Sequence, residues 1–315
     1  MRSPNNDHQT VFAKKSSGIA WGLLLLCAVV IISRIFTAEH LPAGLDSGNF
    51  MLGMVDYSVA QERPHSPGYP VHIALATAAQ QLVHDPHMAL LVLSILWSLV
   101  AVIGTYALAM AFVDRRAALL AAALLAANPL FWFYGSVAET YTFDAALAPT
   151  LMVALLRVRR PSSWMFIGVG VGLACGLRPT SVVLLLPAIG AVLMHRRHNE
   201  LPAPSLHLAI GGVVIGLASW LVPAIIMEGG VQEYALAVWA LTHNSSGGVA
   251  SNAASLVSTL VWTITIAIIA PVIGWKHRAH HPWWLALWWS VPPLVFFATM
   301  HHQKGYLLLV LPMWC

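Results

Sequence analysis

Charge is what this chain most lacks. Of its 315 residues only 9% are Asp, Glu, Lys or Arg, while 58% are hydrophobic; about a quarter of an ordinary soluble domain is charged. A soluble globular protein is therefore excluded. Cysteine is also scarce. Cys27 and Cys175 lie inside apolar runs and Cys315 is the last residue, without CxxC or Cys/His spacing, so neither a disulfide framework nor a structural zinc site is supported. No solenoid period and no inverted repeat of the transporter kind is evident. The first apolar run, residues 18–37, follows Lys14 and Lys15 but is not followed by a small-residue cleavage site, so it is expected to stay as a signal anchor.

What is present is a series of long apolar runs separated by short basic loops, with a mean hydropathy of +0.74. This is the signature of a polytopic helical membrane protein. Crossing a bilayer takes roughly 20 apolar residues. The candidate spans are 18–37, 88–113, 116–134, 141–157, 162–177, 180–194, 205–227, 255–274 and 282–300. A last apolar stretch, 305–315, is too short to cross and is expected to be a re-entrant end or the edge of a longer chain. The fold class expected is all-α, a bundle of about 9–10 transmembrane helices.

Residues 67–84 are ambiguous, being moderately apolar yet carrying His72, Gln80 and Gln81. The positive-inside rule separates the alternatives. With this segment lying along the membrane surface, Arg2, Lys14, Lys15, Arg115, Arg116, Arg157, Arg159, Arg160, Arg196, Arg197, Lys276 and Arg278 share the cytoplasmic side. That is 12 of the 16 Lys and Arg residues, leaving Arg34, Arg63, Arg178 and Lys304 outside. With the segment spanning, the later basic loops change side and break the rule. A juxtamembrane helix on the outer face is therefore expected. The high pI marks topology here, and no nucleic-acid partner is implied. Most acids sort to the outer side, where a Gly-, Ser- and Asn-rich stretch from Glu228 to Asn252 reads as a flexible loop.

Against this background, residues 45–70 (LDSGNFMLGMVDYSVAQERPHSPGYP) concentrate charge. Asp46 sits between glycines that suit a tight turn and can act as a general base, or is simply a solvated turn aspartate. Glu139 and Asp144, in FWFYGSVAETYTFDAAL, fall at the outer end of a helix hairpin, where carboxylates are costly and suggest function, a plain interfacial acid being the alternative. In HSPGYP, the prolines favour an extended path into the surface helix, Tyr69 suits an interface anchor, and His65 reads as a hydrogen-bonding loop histidine rather than a metal ligand. Arg178 and Lys304 break the positive-inside pattern; each could hold a lipid phosphate or snorkel to headgroups. His277, His280 and His281 beside Lys276 and Arg278 read as a solvated basic loop, and Asn244 to Ser246 form a formal glycosylation acceptor.

LDSGNF followed by HSPGYP resembles the first outer loop of a branch of the GT-C glycosyltransferase superfamily. Its bacterial members are of uncharacterised specificity, and its eukaryotic members are protein O-mannosyltransferases. The family pattern runs Asp-Ser-Gly-Glu, then His-Pro-Pro-Gly-Tyr-Pro; SVAETYTF is similar to a second region reading Ala-Glu-Val-Tyr, and GVGVGLACGLRPTSVVLLLPA and GYLLLVLP resemble further helix segments. The resemblance covers most of the chain. It implies one GT-C-like domain over 1–315 with a first outer loop at 38–87. Such an enzyme of a bacterial plasma membrane would pass mannose or another hexose from a polyprenyl-phosphate carrier, with inversion, to a protein, glycan or lipid acceptor at the extracytoplasmic face.

By that resemblance Asp46 is the base and Glu139 positions donor or acceptor. Arg178, Lys304, His65, Tyr69 and Asn49 are candidates for binding substrate or lipid phosphate, Arg178 by topology more than by motif. No cofactor is called for, and a divalent metal finds no support in the sequence. Two positions depart from the pattern: Asn49 stands where Glu is expected, and Ser66 replaces the first proline. Asn49 can hydrogen-bond but cannot titrate. The alternatives are a non-catalytic transporter or flippase of polyprenyl-linked substrates, expected to carry charges at the bilayer midplane, and a degenerate relative.

Overall fold

The computed structural model describes residues 5–42, 44–158, 160–190, 206–244, 249–267, 283–299 and 303–315. Lys14 and Lys15 have undescribed side chains, and Arg196, Arg197, the 276–281 loop, His301, His302 and most of the glycosylation triplet lie outside the described residues. The protein is all-α, as expected. Its helices are α1 (Asn5–Thr37), α2 (Leu45–Val55), α3 (Pro70–Val83), α4 (Pro86–Ala109), α5 (Arg115–Ala127), α6 (Pro129–Gly135), α7 (Tyr141–Arg157), α8 (Pro161–Leu177), α9 (Leu206–Met227), α10 (Val231–Asn244), α11 (Val249–Ala267) and α12 (Trp283–Thr299). Short 3-10 turns cover Pro179–Leu184 and Lys304–Leu309.

Local chemistry starts these helices where it should. Asp85 accepts from Met88 N at 2.7 Å with Pro86 in the first turn of α4, and Asp114 accepts from the backbone of Arg116 and Ala117 to cap α5. Among the described residues α4 and α9 are each long and apolar enough to cross a membrane alone. Five shorter apolar helical segments accompany them. α3, the expected juxtamembrane helix, forms; at 14 residues it is about 21 Å long, too short to span.

Two expectations need correction. The run 116–134 is not one straight span: α5 and α6 meet at a 64° bend. Asn128 causes it, accepting from Leu130 N and Phe131 N with Pro129 behind it, so that α6 is started afresh. Most of the stretch Glu228–Asn252, expected to be a flexible loop, is helical, over Val231–Asn244 and from Val249 on, while residues 245–248 lie outside the described residues. Glu228 and Tyr234 dock it on the first loop. The Glu228 carboxylate accepts from Val59 N and Ala60 N, and Tyr234 Oη donates to Pro67 O at 2.9 Å.

α7 is the central helix. Tyr141 to Ala146, Ala148, Pro149, Leu151, Met152 and Leu155 are all buried, as befits a helix enclosed on every side. The outermost helices face the other way. Trp21, Leu24, Leu25, Ile32 and Phe36 of α1 and Ile210, Val214 and Val222 of α9 are exposed apolar side chains, the surface a bilayer would cover. α8 and α9 cross on glycines. A Cβ on Gly172 would lie 2.6 Å from Val213 O, and one on Gly212 only 2.2 Å from Met165 O. Lipid offers little hydrophobic drive between helices, so backbone contact of this kind holds the pair.

Candidate functional site

The connection from α6 to α7, residues 136–140, is held from three directions. Glu39, just past α1, donates its backbone N–H to Ser136 O at 2.9 Å, and its Oε1 accepts from Ala138 N at 2.8 Å and lies 3.2 Å from His87 Nε2. Ser94 of α4 has its hydroxyl between Val137 O and Glu139 O. Thr37 and Ser136 hydroxyls meet at 2.7 Å. These anchors fix the backbone from which Glu139 projects.

Glu139 points at the first turn of α2. Ser47 Oγ donates to Glu139 Oε1 at 3.2 Å, and a Cβ on Gly44 would come within 2.7 Å of the same oxygen. Gly44 is thus a close-approach glycine. Burial, and after it the negative charge of Asp46, pushes the Glu139 carboxyl up to about 8. Asp46 itself is in the first turn of a helix rather than in the tight turn expected from its flanking glycines. LDSGNF packs Ser47 and Phe50 inward along α2, leaving Asp46 partly exposed beside them.

The rest of the loop folds back on this turn. His65 Nδ1 lies 3.5 Å from Asp46 Oδ1, and His65 Nε2 is 3.1 Å from Tyr69 Oη. Tyr69 is buried and packed on Phe50, with ring centroids 5.2 Å apart, so it is no interface anchor. It takes a left-handed conformation, φ 47°, at the start of α3 rather than the extended path expected. His72 also packs on Phe50, its Nε2 without a hydrogen bond among the described residues. Burial and the Arg178 charge hold it neutral, with a pKa lowered to about 3.

Arg178 ends α8 and turns into the bundle. Its side chain is 3% exposed, its Nε is 2.5 Å from Asp144 Oδ2, and Nη1 donates to Thr140 Oγ1. The guanidinium lies 3.9 Å from the Tyr141 ring centroid and 5.1 Å from that of Tyr306, in cation–π geometry. The snorkelling alternative for Arg178 is thereby removed. Lys304 stays exposed at the start of its 3-10 turn, while Tyr306, two residues on, is buried. Asn49 is half-buried on α2.

Asp46, His65, Tyr69, Glu139 and Arg178 are therefore gathered at one end of the bundle, and Lys304 is left at the surface. Sequence reasoning missed His72, Thr140, Tyr141 and Tyr306 as neighbours of the charged groups. Buried aromatic residues beside an arginine are visible only after folding, though GYLLLVLP carried a hint in Gly305: a Cβ there would lie 2.2 Å from the Tyr141 ring. Among the described residues no group of three His, Cys, Asp or Glu side chains is placed to hold a metal ion.

Apolar helices enclosing a cluster of acids, arginine and tyrosines define a multi-pass membrane protein with a polar site at one end. A family model described as dolichyl-phosphate-mannose-protein mannosyltransferase matches residues 63–222, just over half of the chain. The chain belongs to this family of GT-C-type membrane glycosyltransferases. The matched segment holds His65, Tyr69, Glu139, Asp144 and Arg178, and begins after Asp46 and Asn49. No curated protein and no solved structure matches the chain.

Proposed function

We propose that the protein is an inverting glycosyltransferase that moves a hexose, such as mannose, from a polyprenyl-phosphate carrier to an acceptor hydroxyl at the extracytoplasmic face of a bacterial plasma membrane. The observation that carries this reading is the convergence of three elements far apart in sequence. Ser47 beside Asp46 bonds Glu139, and Thr140 beside Glu139 bonds Arg178. These bonds put Asp46 and the buried Arg178 cation on either side of one short loop.

In this reading Asp46 accepts the proton of the acceptor hydroxyl as its oxygen bonds to the anomeric carbon. The bond from that carbon to the phosphate oxygen breaks, and its electron pair leaves with the phosphate. A phosphate is already a good leaving group, so positive charge near it and a base opposite are the main requirements. Arg178 supplies the charge, already partly balanced by Asp144, and Tyr69 and His72 stand near enough to feel it. Glu139, uncharged over much of the neutral range, donates or accepts a hydrogen bond to the sugar or acceptor. Lys304 and Asn49 are left with roles at the rim, Lys304 toward lipid headgroups.

The test is sugar release from the radiolabelled polyprenyl-phosphate hexose fraction of bacterial membranes by the purified protein in lipid. Turnover that Asp46→Asn lowers by roughly 100-fold or more, with unchanged thermal unfolding, supports the reading. Equal turnover in both removes Asp46 from the chemistry. Carrier binding without turnover by the wild type favours the transporter or the degenerate relative.

A further inference from the structure

His65 stands at the back of Asp46 rather than in the open. Its ring lies against Tyr69 and Phe50, with centroids 4.9 Å and 5.8 Å apart, and its two nitrogens reach opposite ways, Nδ1 to Asp46 Oδ1 and Nε2 to Tyr69 Oη. The segment that carries it is braced. Tyr234 holds Pro67 O, Glu228 holds Val59 and Ala60, and Gly68, at φ 105°, leaves no room for a Cβ beside Tyr57 Oη. His65 is thus the hydrogen-bonding loop histidine expected, carried on a braced segment.

The three groups favour one hydrogen pattern. A neutral imidazole carries a single N–H, and burial favours the neutral ring here. With the hydrogen on Nε2, the Nδ1 lone pair would face a carboxylate oxygen, and the buried Tyr69 hydroxyl would lose its acceptor. With the hydrogen on Nδ1, Nε2 accepts from the Tyr69 O–H, and Nδ1 presents its hydrogen toward the Asp46 carboxylate. At 3.5 Å Nδ1 makes no hydrogen bond in this structure, although it is buried and faces Oδ1; catalytic hydrogen bonds are often incomplete until substrate closes a site.

We infer that His65 is a positioning residue for the base: its Nδ1–H holds Oδ1 of Asp46, Tyr69 sets the tautomer, and Oδ2 is left for the acceptor hydroxyl. This rests on the reading of Asp46 as base given above. It also moves His65 from the substrate-binding group, where the sequence placed it, to a place behind the base.

Two measurements test it. Solid-state 15N NMR of histidine-labelled protein in lipid, with the His65 signals assigned by their loss in His65→Asn, reads the tautomer directly. A hydrogen on Nδ1 is expected, and one on Nε2 overturns the inference whatever the substrate. The second is turnover of the polyprenyl-phosphate hexose fraction by a substitution series. An Asn amide nitrogen falls near the place of Nδ1, and a Gln amide nitrogen near that of Nε2. His65→Asn is expected to stay within about tenfold of wild type, while His65→Gln and His65→Phe lose roughly 10- to 100-fold in kcat with KM for the lipid donor unchanged. Adding His65→Phe to Asp46→Asn should cost nothing further, since the two act as a unit. Equal losses in the Asn and Gln variants, or a loss carried in KM, overturn the positioning role. Full activity in Asp46→Asn, or an inactive wild type, overturns the parent reading and this one with it.

Discussion

Asp144 and Arg178 form an ion pair, 2.5 Å from Oδ2 to Nε, with side chains 0% and 3% exposed. Both ends are tied to the site loop: Asp144 is in the first turn of α7, four residues after Thr140, and Arg178 bonds Thr140 itself. A buried pair of this kind contributes little net stability against an apolar pair, but losing one member strands the other. Asp144→Asn should therefore lower unfolding stability by about 3–5 kcal/mol. The double variant Asp144→Leu with Arg178→Met should recover much of that loss while staying inactive, as differential scanning fluorimetry and turnover in detergent would read.

Glu139 gives a pH signature. Its carboxyl is raised from 4.5 to about 8 by burial first and the Asp46 charge second. Between those values the folded protein keeps a proton that the unfolded chain has released, so the contribution of Glu139 to stability is most favourable below about pH 4.5 and worsens as pH rises toward 8. The slope corresponds to about 1.4 kcal/mol per pH unit at most. Glu139→Gln should flatten the unfolding midpoint over pH 5–8, whereas an unchanged slope would remove Glu139 as its source.

Gly44 has backbone angles that alanine accepts, φ −104° and ψ 152°, so Gly44→Ala tests space rather than conformation. Its Cβ would meet Glu139 Oε1 at 2.7 Å. The carboxyl group must leave Ser47, and misplacement on the order of 1 Å can cost up to about 100-fold in rate. Turnover should fall at least about tenfold while the unfolding midpoint moves little. A large stability loss with normal specific activity would contradict this.

The α8–α9 crossing should tolerate no side chain. Gly172→Leu places atoms against Val213 O and Leu217 N, where even a Cβ comes within 2.6–2.7 Å, and rigid backbone cannot yield as a side chain does. A loss of about 1–3 kcal/mol or more is expected, together with faster proteolysis around α9. Gly170→Leu, with nothing within 4 Å of its Cβ, is the control and should be nearly neutral.

What the sequence determined by itself was set by local and compositional physics. Scarce charge and long apolar runs specify membrane helices, because a bilayer has no water to satisfy an open backbone. Asp85 and Asp114 cap the helices that follow them by purely local bonds, and the ambiguous segment 67–84, expected to be a short helix beside the membrane, forms α3. Asp46, Glu139 and Arg178 were legible as candidates because charge is expensive in such a chain. Tertiary structure alone decided their company. Asp46 in α2 acquires His65 and Tyr69 because the loop folds back, held by Glu228 and Tyr234 from a segment whose Gly, Ser and Asn content looked like a free loop. Asn128 converts one apparent span into two helices by capping the second, and Arg178 finds Asp144, Tyr141 and Tyr306 across the bundle. Such contacts join residues tens to hundreds of positions apart, and no local pattern encodes which side chains close packing will bring face to face.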